Sequence, residues 1–376
     1  MTTAPYLIEP LVLPAAVESA DAADFLEVGE LCDALTLGTW RNLDRSATPA
    51  ARLHGWRDNT YRHIRLFFVR QGGRVVGSSW IRCEVQENLR CALVHVQVLN
   101  EFTGRGIGRT LLRHAEELAL AEGRTILQSF TEHPADFDVD GPAVLRPATG
   151  SGALPAEARG VRFAVKAGYR LEQVERFSAL DVPKHAATWD ALEREALTRA
   201  GDEYELESWT DRCPDDRAEQ LAVLMSKMST DAPIGELSYD PERWDVARVR
   251  HVEDTWKRAG LTTLVAAARH RGSGELAAYS VLQLSPLKPW LADQDDTLVA
   301  ASHRGHRLGL LVKILNLRRL RSEYPGVERV ITFNAEENDH MLAINIALGF
   351  RPAGYDGEWQ RVAPAAGPDG GGGPRG

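Results

Sequence analysis

Two glycine-rich turns are the residues of this chain best suited to chemistry. The first is Thr103-Gly104-Arg105-Gly106-Ile107-Gly108, and about 200 residues later the chain contains Arg304-Gly305-His306-Arg307-Leu308-Gly309. Each turn follows an apolar run and opens an amphipathic helical pattern. A helix N-terminus presents unpaired backbone N–H groups and the positive end of the helix dipole, an arrangement that binds phosphate. The turns therefore predict two related domains and at least one nucleotide-like cofactor.

The elements that position both turns follow one order: a hairpin, a strand, the turn, a helix and another strand. In the first half we expect strands at 64–70, 74–82, 91–99 and 125–130. In the second half we expect them at 261–269, 275–284, 297–301 and 327–333. Each half then ends with a short helix and a related tripeptide, Gly168-Tyr169-Arg170 or Gly349-Phe350-Arg351. This shared order indicates an internal duplication.

The composition is that of a globular protein with two domains. The chain has 376 residues, of which 44% are hydrophobic and 26% charged, and this length exceeds one ordinary core. The net charge of −9 argues against a nucleic-acid partner. Four scattered cysteines and no ligand cluster predict no metal, and no apolar run is long enough to span a membrane. We expect a cytoplasmic monomer or homodimer without a signal peptide.

The predicted organisation places an N-terminal domain at 1–182, a linker at 183–202, a C-terminal domain at 203–362 and a disordered tail at 363–376. The linker is polar, and 186–200 can form an exposed helix. The halves differ at 133–157, where the first carries a proline-rich insertion. Both a surface insertion and a substrate lid fit this stretch.

Together, the turns, the strand order and the Gly-Tyr/Phe endings resemble the GCN5-related N-acetyltransferase (GNAT) superfamily. Its signature is a Gln/Arg-x-x-Gly-x-Gly/Ala turn between a strand and a helix. The first turn carries Thr103 at the Gln/Arg position, and the second carries Arg307 where glycine is usual. A nucleotide-triphosphatase phosphate loop is the competing interpretation, but its Gly-Lys-Ser/Thr is absent.

The resemblance implies an α/β (α+β) fold, with a twisted, mostly antiparallel sheet flanked by helices in each half. It implies acetyl-CoA as the acyl donor and a primary amine of a small molecule as the acceptor. The second half is similar to tandem acetyltransferases of actinobacterial type, of which mycothiol synthase is the best-known member. By this likeness the C-terminal domain is expected to be catalytic. The N-terminal domain is expected to be either a structural partner or a second cofactor site.

The second half also carries three asparagines. Asn338 and Asn345 are seven residues apart and share a helix face, with Asn334 at the preceding strand end. They either bind the amide-rich arm of coenzyme A or cap the helix. We expect cofactor contacts from both turns and these asparagines. The predicted cofactor residues are Val98, Gly104, Arg105, Gly106, Ile107, Gly108, Arg109, Val299, Arg304, Gly305, His306, Arg307, Leu308, Gly309, Asn334, Asn338 and Asn345.

Acetyl transfer to an amine needs a base for the ammonium proton and often an acid for the thiolate. We expect Asp296, directly before a strand, to be the base, although a solvated loop acid is an equal alternative. The tyrosine acid familiar from this superfamily is replaced by Asn345 in the second half, so Tyr355 is the candidate acid. A mycothiol synthase-type reaction on an amino-thiol sugar and a non-catalytic acyl-CoA-binding scaffold are the alternatives to this function.

Overall fold

The computed structural model describes residues 6–363, apart from the side chain of Ala186. Its strands are β1 (Glu9–Pro10), β2 (Arg62–Gln71), β3 (Arg74–Glu84), β4 (Cys91–Val98), β5 (Ile126–Pro134), β6 (Val144–Leu145), β7 (Leu154–Pro155), β8 (Arg170–Asp181), β9 (Tyr204–Thr210), β10 (Thr262–His270), β11 (Leu276–Leu284), β12 (Leu291–Val299), β13 (Arg329–Ala335) and β14 (Arg351–Val362). Its α-helices are α1 (Ala23–Trp40), α2 (Pro49–Arg57), α3 (Ile107–Ala121), α4 (Arg159–Lys166), α5 (Val182–His185), α6 (Trp189–Ala200), α7 (Ala218–Asp231), α8 (Val246–Arg258), α9 (Leu308–Glu323) and α10 (Asp339–Leu348).

Twelve of these strands form one sheet that runs through both halves, in the order β1-β2-β3-β4-β5-β14-β8-β13-β12-β11-β10-β9. Only the β4–β5 and β12–β13 pairs are parallel. The mixed α/β class with a mostly antiparallel sheet is confirmed. The sheets of the two halves are continuous, however, because the halves exchange their last strands. Strand β14 pairs with β5 of the first half, and β8 pairs with β13 of the second.

Helices cover both faces of the second half. Successive residues of a strand point to opposite faces, and β11 illustrates this. Ala278 and Leu282 pack in one core cluster with α6 and α9, whereas Tyr279 and Val281 pack in another with α7 and α8. A side chain of β12 or β13 can therefore lie on one of two faces of the sheet, the face covered by α9 or the face covered by α7 and α8.

Strands β12 and β13 form a fork. Their pairing runs from Leu291 opposite Arg329 to Gln294 opposite Thr332, and it stops there although both strands continue. Beyond the fork point the facing backbone edges of β12 and β13 form no hydrogen-bonded pairs with each other. Such edges offer N–H and C=O groups to an extended ligand.

The predicted linker and the insertion both pack on the cores of the molecule. A helix does form at 189–200, but its Trp189 and Ala196 are fully buried in the second-half core against α9. The insertion at 133–157 packs on the first-half core through Leu145 and Leu154. The tail at 364–376 lies outside the described residues. Within residues 6–363, no helix combines the length and apolarity that crossing a bilayer requires.

Candidate active site

A cleft of about 860 Å³ opens at the β12–β13 fork. Its walls come from the exposed ends of both strands, the second glycine turn, the start of α10 and the end of α7. Glu175 of β8 also lines it, so an exchanged strand of the first half contributes to the wall. The cleft is therefore where the second-half predictions can be compared with geometry.

The second glycine turn forms one wall of this cleft. Most of its predicted cofactor residues line it; these are Val299, Arg304, Gly305, Arg307, Leu308 and Gly309. A Cβ on Gly309 would lie 3.2 Å from the Ile344 side chain and 3.3 Å from that of Val299. Glycine at this position therefore allows the start of α9 to approach β12 and α10 closely.

The two arginines of the turn are held by carboxylates at its edge. Arg304 pairs with Asp231 at 2.8 Å, and Arg307 pairs with Glu195 at 3.2 Å. His306 lies outside the cleft lining and packs against Tyr204, with ring centroids 5.3 Å apart. Arginine side chains together with the N-terminus of α9 suit an anionic group such as a pyrophosphate.

The three asparagines have different positions. Asn334 and Asn338 line the cleft, and Asn338 also caps α10 by accepting from the Met341 N–H at 3.2 Å. Asn345 is buried outside the lining, where its Nδ2 donates to Asn334 Oδ1 at 2.6 Å. Asn345 therefore orients Asn334, so the position of Asn345 does not support direct cofactor contact.

Strand β12 begins earlier than expected, so Asp296 lies inside it rather than before it. The pairing with β11 shifts from Thr297 opposite Ser280 to Gln294 opposite Leu282, so two residues, Asp295 and Asp296, face one. This is a β-bulge, which re-aims side chains and is common beside active sites.

The bulge directs both carboxylates toward the α7–α8 face. Tyr279 Oη donates to Asp296 Oδ2 at 3.0 Å, and Gln283 Nε2 donates to Asp295 Oδ2 at 2.8 Å. Tyr279 belongs to the core cluster under α7 and α8. Both aspartates line the cleft.

The surroundings of this pair favour proton transfer near neutral pH. Burial raises the pKa of Asp295 to about 8, and the negative charge of Asp296 adds to the shift. Burial also raises the pKa of Asp296, which the hydrogen bond from Tyr279 opposes. A carboxylate with a raised pKa is a stronger base, and a raised pKa in a cleft is typical of acid–base residues.

Basic and acidic side chains are separated along the cleft. Arg304 and Arg307 stand at the α9 end, where Asp231 pairs with Arg304, whereas Asp295, Asp296, Glu175 and Glu337 supply carboxyl groups elsewhere in the wall. The pKa of Glu175 is raised to about 7, chiefly by burial and then by the charge of Asp356, with Arg45 opposing. An anion at one end and a cation at the other would complement this distribution.

Tyr355 lies elsewhere. It is buried on β14 within the first-half core, against the Phe137 ring at 5.5 Å, and it is not among the residues that line the cleft. The structure therefore does not bring Tyr355 together with Asp296. Position along the chain places β14 in the second half, but the strand pairs with β5 of the first half.

The first half has the turn without the acidic pair. Gly104 and Gly106 have φ of +77° and +90°, as a glycine turn requires. Its β3–β4 pairing has no bulge, and His95 stands opposite Trp80 where the second half has its aspartates. His95 stacks on Phe130 of β5, with centroids 4.3 Å apart, so aromatic rings lie where this fork opens.

The remaining first-half cofactor predictions lie around that turn. Arg105 stacks its guanidinium on Phe102 at 4.8 Å, and its backbone oxygen accepts from Tyr6 Oη at 2.9 Å. Val98 contacts the position where a Cβ of Gly108 would lie, at 3.6 Å. Ile107 is buried at the start of α3, which also carries Arg109. Cofactor contact by this group stays a prediction.

Sequence patterns do not point to several side chains of the cleft lining, and Glu175 and Lys313 are two of them. Glu175 is missed because it belongs to the other half. Lys313 was overlooked, although a lysine within the apolar stripe of α9 is a visible signal. Within residues 6–363, no group of three or more His, Cys, Asp or Glu side chains is arranged to hold a metal ion.

Comparison with known proteins agrees with this geometry. Residues 37–136 match the model of the Acetyltransferase (GNAT) family. A tandem GNAT protein from the clavulanic acid biosynthesis pathway superposes with a TM-score of 0.72 at 24% identity, over 96% of this chain and 99% of that one. A GCN5-related N-acetyltransferase from Sphaerobacter thermophilus superposes with a TM-score of 0.58 at 14% identity, over 97% of this chain and 98% of that one. No curated protein sequence matches the chain.

Residues 37–136 therefore carry a domain of the Acetyltransferase (GNAT) family. The whole chain has the fold of the tandem GNAT protein. Acyl transfer is the class of chemistry that this assignment supports.

Proposed function

We propose that the chain is an N-acetyltransferase that moves acetyl from acetyl-CoA to a primary amine of a small molecule, in the second-half cleft. The observation that carries the proposal is the fork itself. One cleft joins a glycine turn suited to a pyrophosphate with two adjacent carboxylates at a strand bulge. Acyl transfer from a nucleotide-linked thioester to an amine needs both features.

The donor would lie with its pyrophosphate at the start of α9 and its amide-bearing arm in the fork. The free strand edges beyond Gln294 and Thr332, with the amide of Asn334, supply hydrogen-bond partners for such an arm. Its thioester would then face the bulge. This placement gives each wall of the cleft a role in binding.

Asp296 would act as the base, directly or through Asp295 at the same bulge. A protonated amine must lose a proton before its nitrogen attacks the thioester carbonyl. Burial raises the pKa of both carboxyl groups, so each is a stronger base in its charged form than an ordinary carboxylate. Glu175 and Glu337 would also attract an acceptor that carries positive charge.

The test is thiol release from acetyl-CoA with a panel of amines, including an amino-thiol sugar. Asp296→Asn should lower kcat about a hundredfold or more, the range for a lost general base. Asp293→Asn is the matched control, because Asp293 lies on the same strand outside the cleft lining. Tight coenzyme A binding without turnover of any amine would support a non-catalytic acyl-CoA-binding protein instead.

A further inference from the structure

Lys313 is a buried amine in the cleft that has no partner of its own. It lies on α9 one turn after Gly309, and its exposed fraction is 2%. It lines the cleft, and none of the residues at 6–363 accepts a hydrogen bond from it or forms an ion pair with it. Nζ lies over the Phe350 ring, 5.9 Å from its centroid.

Such a position is costly for the folded protein. Taking an amine out of water without a hydrogen-bond partner is unfavourable, and more so when it is charged. Burial alone lowers the pKa of Lys313 to about 7, with no charged group contributing. An apolar side chain of similar length would fill the same space without this penalty. Apart from the distant Phe350 ring, no contact of the described residues therefore favours lysine over an apolar side chain here.

Lys313 shares the lining of the cleft with the residues at the fork point. Gln294 and Thr332, which form the last pair before the fork, line the same cleft and are almost fully buried. The floor of the cleft is therefore polar although it is deeply buried.

Two buried side-chain oxygens, one on α9 and one on α10, also lack a hydrogen-bond partner in the described structure. Asn316, three residues after Lys313 on α9, donates to the Ser280 oxygen at 2.9 Å, but its Oδ1 has no partner in the described structure. The Oδ1 of Asn345 likewise has none. Unpaired polar groups are uncommon in protein interiors.

We propose that Lys313 is a further ligand-binding residue, which donates a hydrogen bond to a carbonyl oxygen of the amide-bearing arm of a coenzyme A-type ligand. This rests on the proposed function, because it takes the ligand to be a coenzyme A thioester. The lysine contacts the amide-bearing arm of the ligand in this proposal, and not its phosphates. The lysine is retained, against its cost to folding, for binding.

The test compares two ligands by titration calorimetry: coenzyme A, and adenosine 3′,5′-bisphosphate, which has no arm. Lys313→Met should weaken coenzyme A binding about tenfold or more, the range for a hydrogen bond from a charged group. Binding of the bisphosphate should not change. Lys313→Gln, which still donates, should recover part of the affinity. Lys257→Met, at an exposed position of α8, is the control.

A thermal melt separates binding from folding. Lys313→Met should melt at or above the wild-type midpoint, because it removes the unpaired amine. Unchanged coenzyme A affinity in Lys313→Met, or an equal loss for both ligands, would overturn the assignment of Lys313. A wild-type protein that binds no coenzyme A would overturn the proposed function as well, so the two failures are distinguishable.

Discussion

At the scale of single residues, the chemistry depends on two adjacent carboxylates whose surroundings differ. Asp296 accepts a hydrogen bond from the fully buried Tyr279, whereas Asp295 accepts one from Gln283. A phenol that donates to a carboxylate favours its charged form. Tyr279, which is not among the residues that line the cleft, therefore opposes the rise that burial causes in the pKa of Asp296.

This role predicts the outcome of Tyr279→Phe. Without the hydrogen bond from Tyr279, the pKa of Asp296 should rise further, so the base is deprotonated only at higher pH. The pH profile of kcat/KM should move toward higher pH, with lower activity at pH 7 that recovers under alkaline conditions. Tyr324→Phe, at the end of α9, is the control. A Tyr279→Phe profile that coincides with the wild-type profile would contradict this assignment.

Glu175 gives a prediction about stability. Its pKa in the folded protein, about 7, lies above its ordinary value of 4.5, so folding favours the protonated form. The contribution of this carboxyl group to the free energy of unfolding is fully present below about pH 4.5, and it is lost as the pH rises through 7. The free energy of unfolding of Glu175→Gln, taken relative to that of the wild type, should therefore be about 1 to 3 kcal/mol more favourable at pH 8 than at pH 4.5.

Urea unfolding at both pH values measures this gain. Glu203→Gln, at an exposed turn before β9, should show no comparable difference between the two. If Glu175→Gln and wild type keep the same stability difference at pH 4.5 and pH 8, the carboxyl group is not protonated in the folded protein.

At the scale of elements, the hairpins, the glycine turns and their helices could be predicted because local patterns specify them. The start of β12 could not. Its residues 291–296 contain three aspartates, which are unfavourable in strands. They form a strand because β11 and β13 pair with it on both sides. The bulge that defines the candidate site is thus fixed by tertiary pairing.

Arg307 stands at the start of α9, where the corresponding position of the first half is a glycine. It caps α9 with a φ of +58°, where the first half has Gly106 at +90°. A side chain in this left-handed region costs about 1 kcal/mol relative to glycine. Arg307→Gly should therefore increase the free energy of unfolding by about that amount. Loss of the guanidinium should weaken binding of adenosine 3′,5′-bisphosphate several-fold.

Arg307→Ala is the matched variant, because it removes the same charge but keeps the left-handed strain. It should lose affinity without gaining stability. If Arg307→Gly gains stability while affinity is unchanged, the backbone alone binds the phosphates, and the arginine is not a ligand.

At the scale of the whole molecule, the strand exchange makes the two halves one folding unit. Each half-sheet is completed by the last strand of the other, with β14 beside β5 and β8 beside β13. The sequence could not reveal this, since both strands follow a similar Gly-aromatic ending and nothing local selects the partner. The same exchange brings Glu175 to the cleft and removes Tyr355 from it.

The exchange predicts a single cooperative unfolding transition. Each half contains tryptophans, such as Trp80 and Trp209, so fluorescence and calorimetry follow both at once. The two signals should give coincident transitions. A fragment ending at residue 185 should not fold alone, because β8 would lack both neighbours. Two separated transitions would show that the halves are independent domains.

The central claim is that the second half, with its irregular turn, is the coenzyme A site of this molecule. A coenzyme A titration of two matched double variants tests it most directly. Arg304→Ala with Arg307→Ala alters the second turn, and Arg105→Ala with Arg109→Ala alters the first. Binding should fall at least tenfold in the second-turn variant and stay near wild type in the first-turn variant. The reverse pattern would contradict the account.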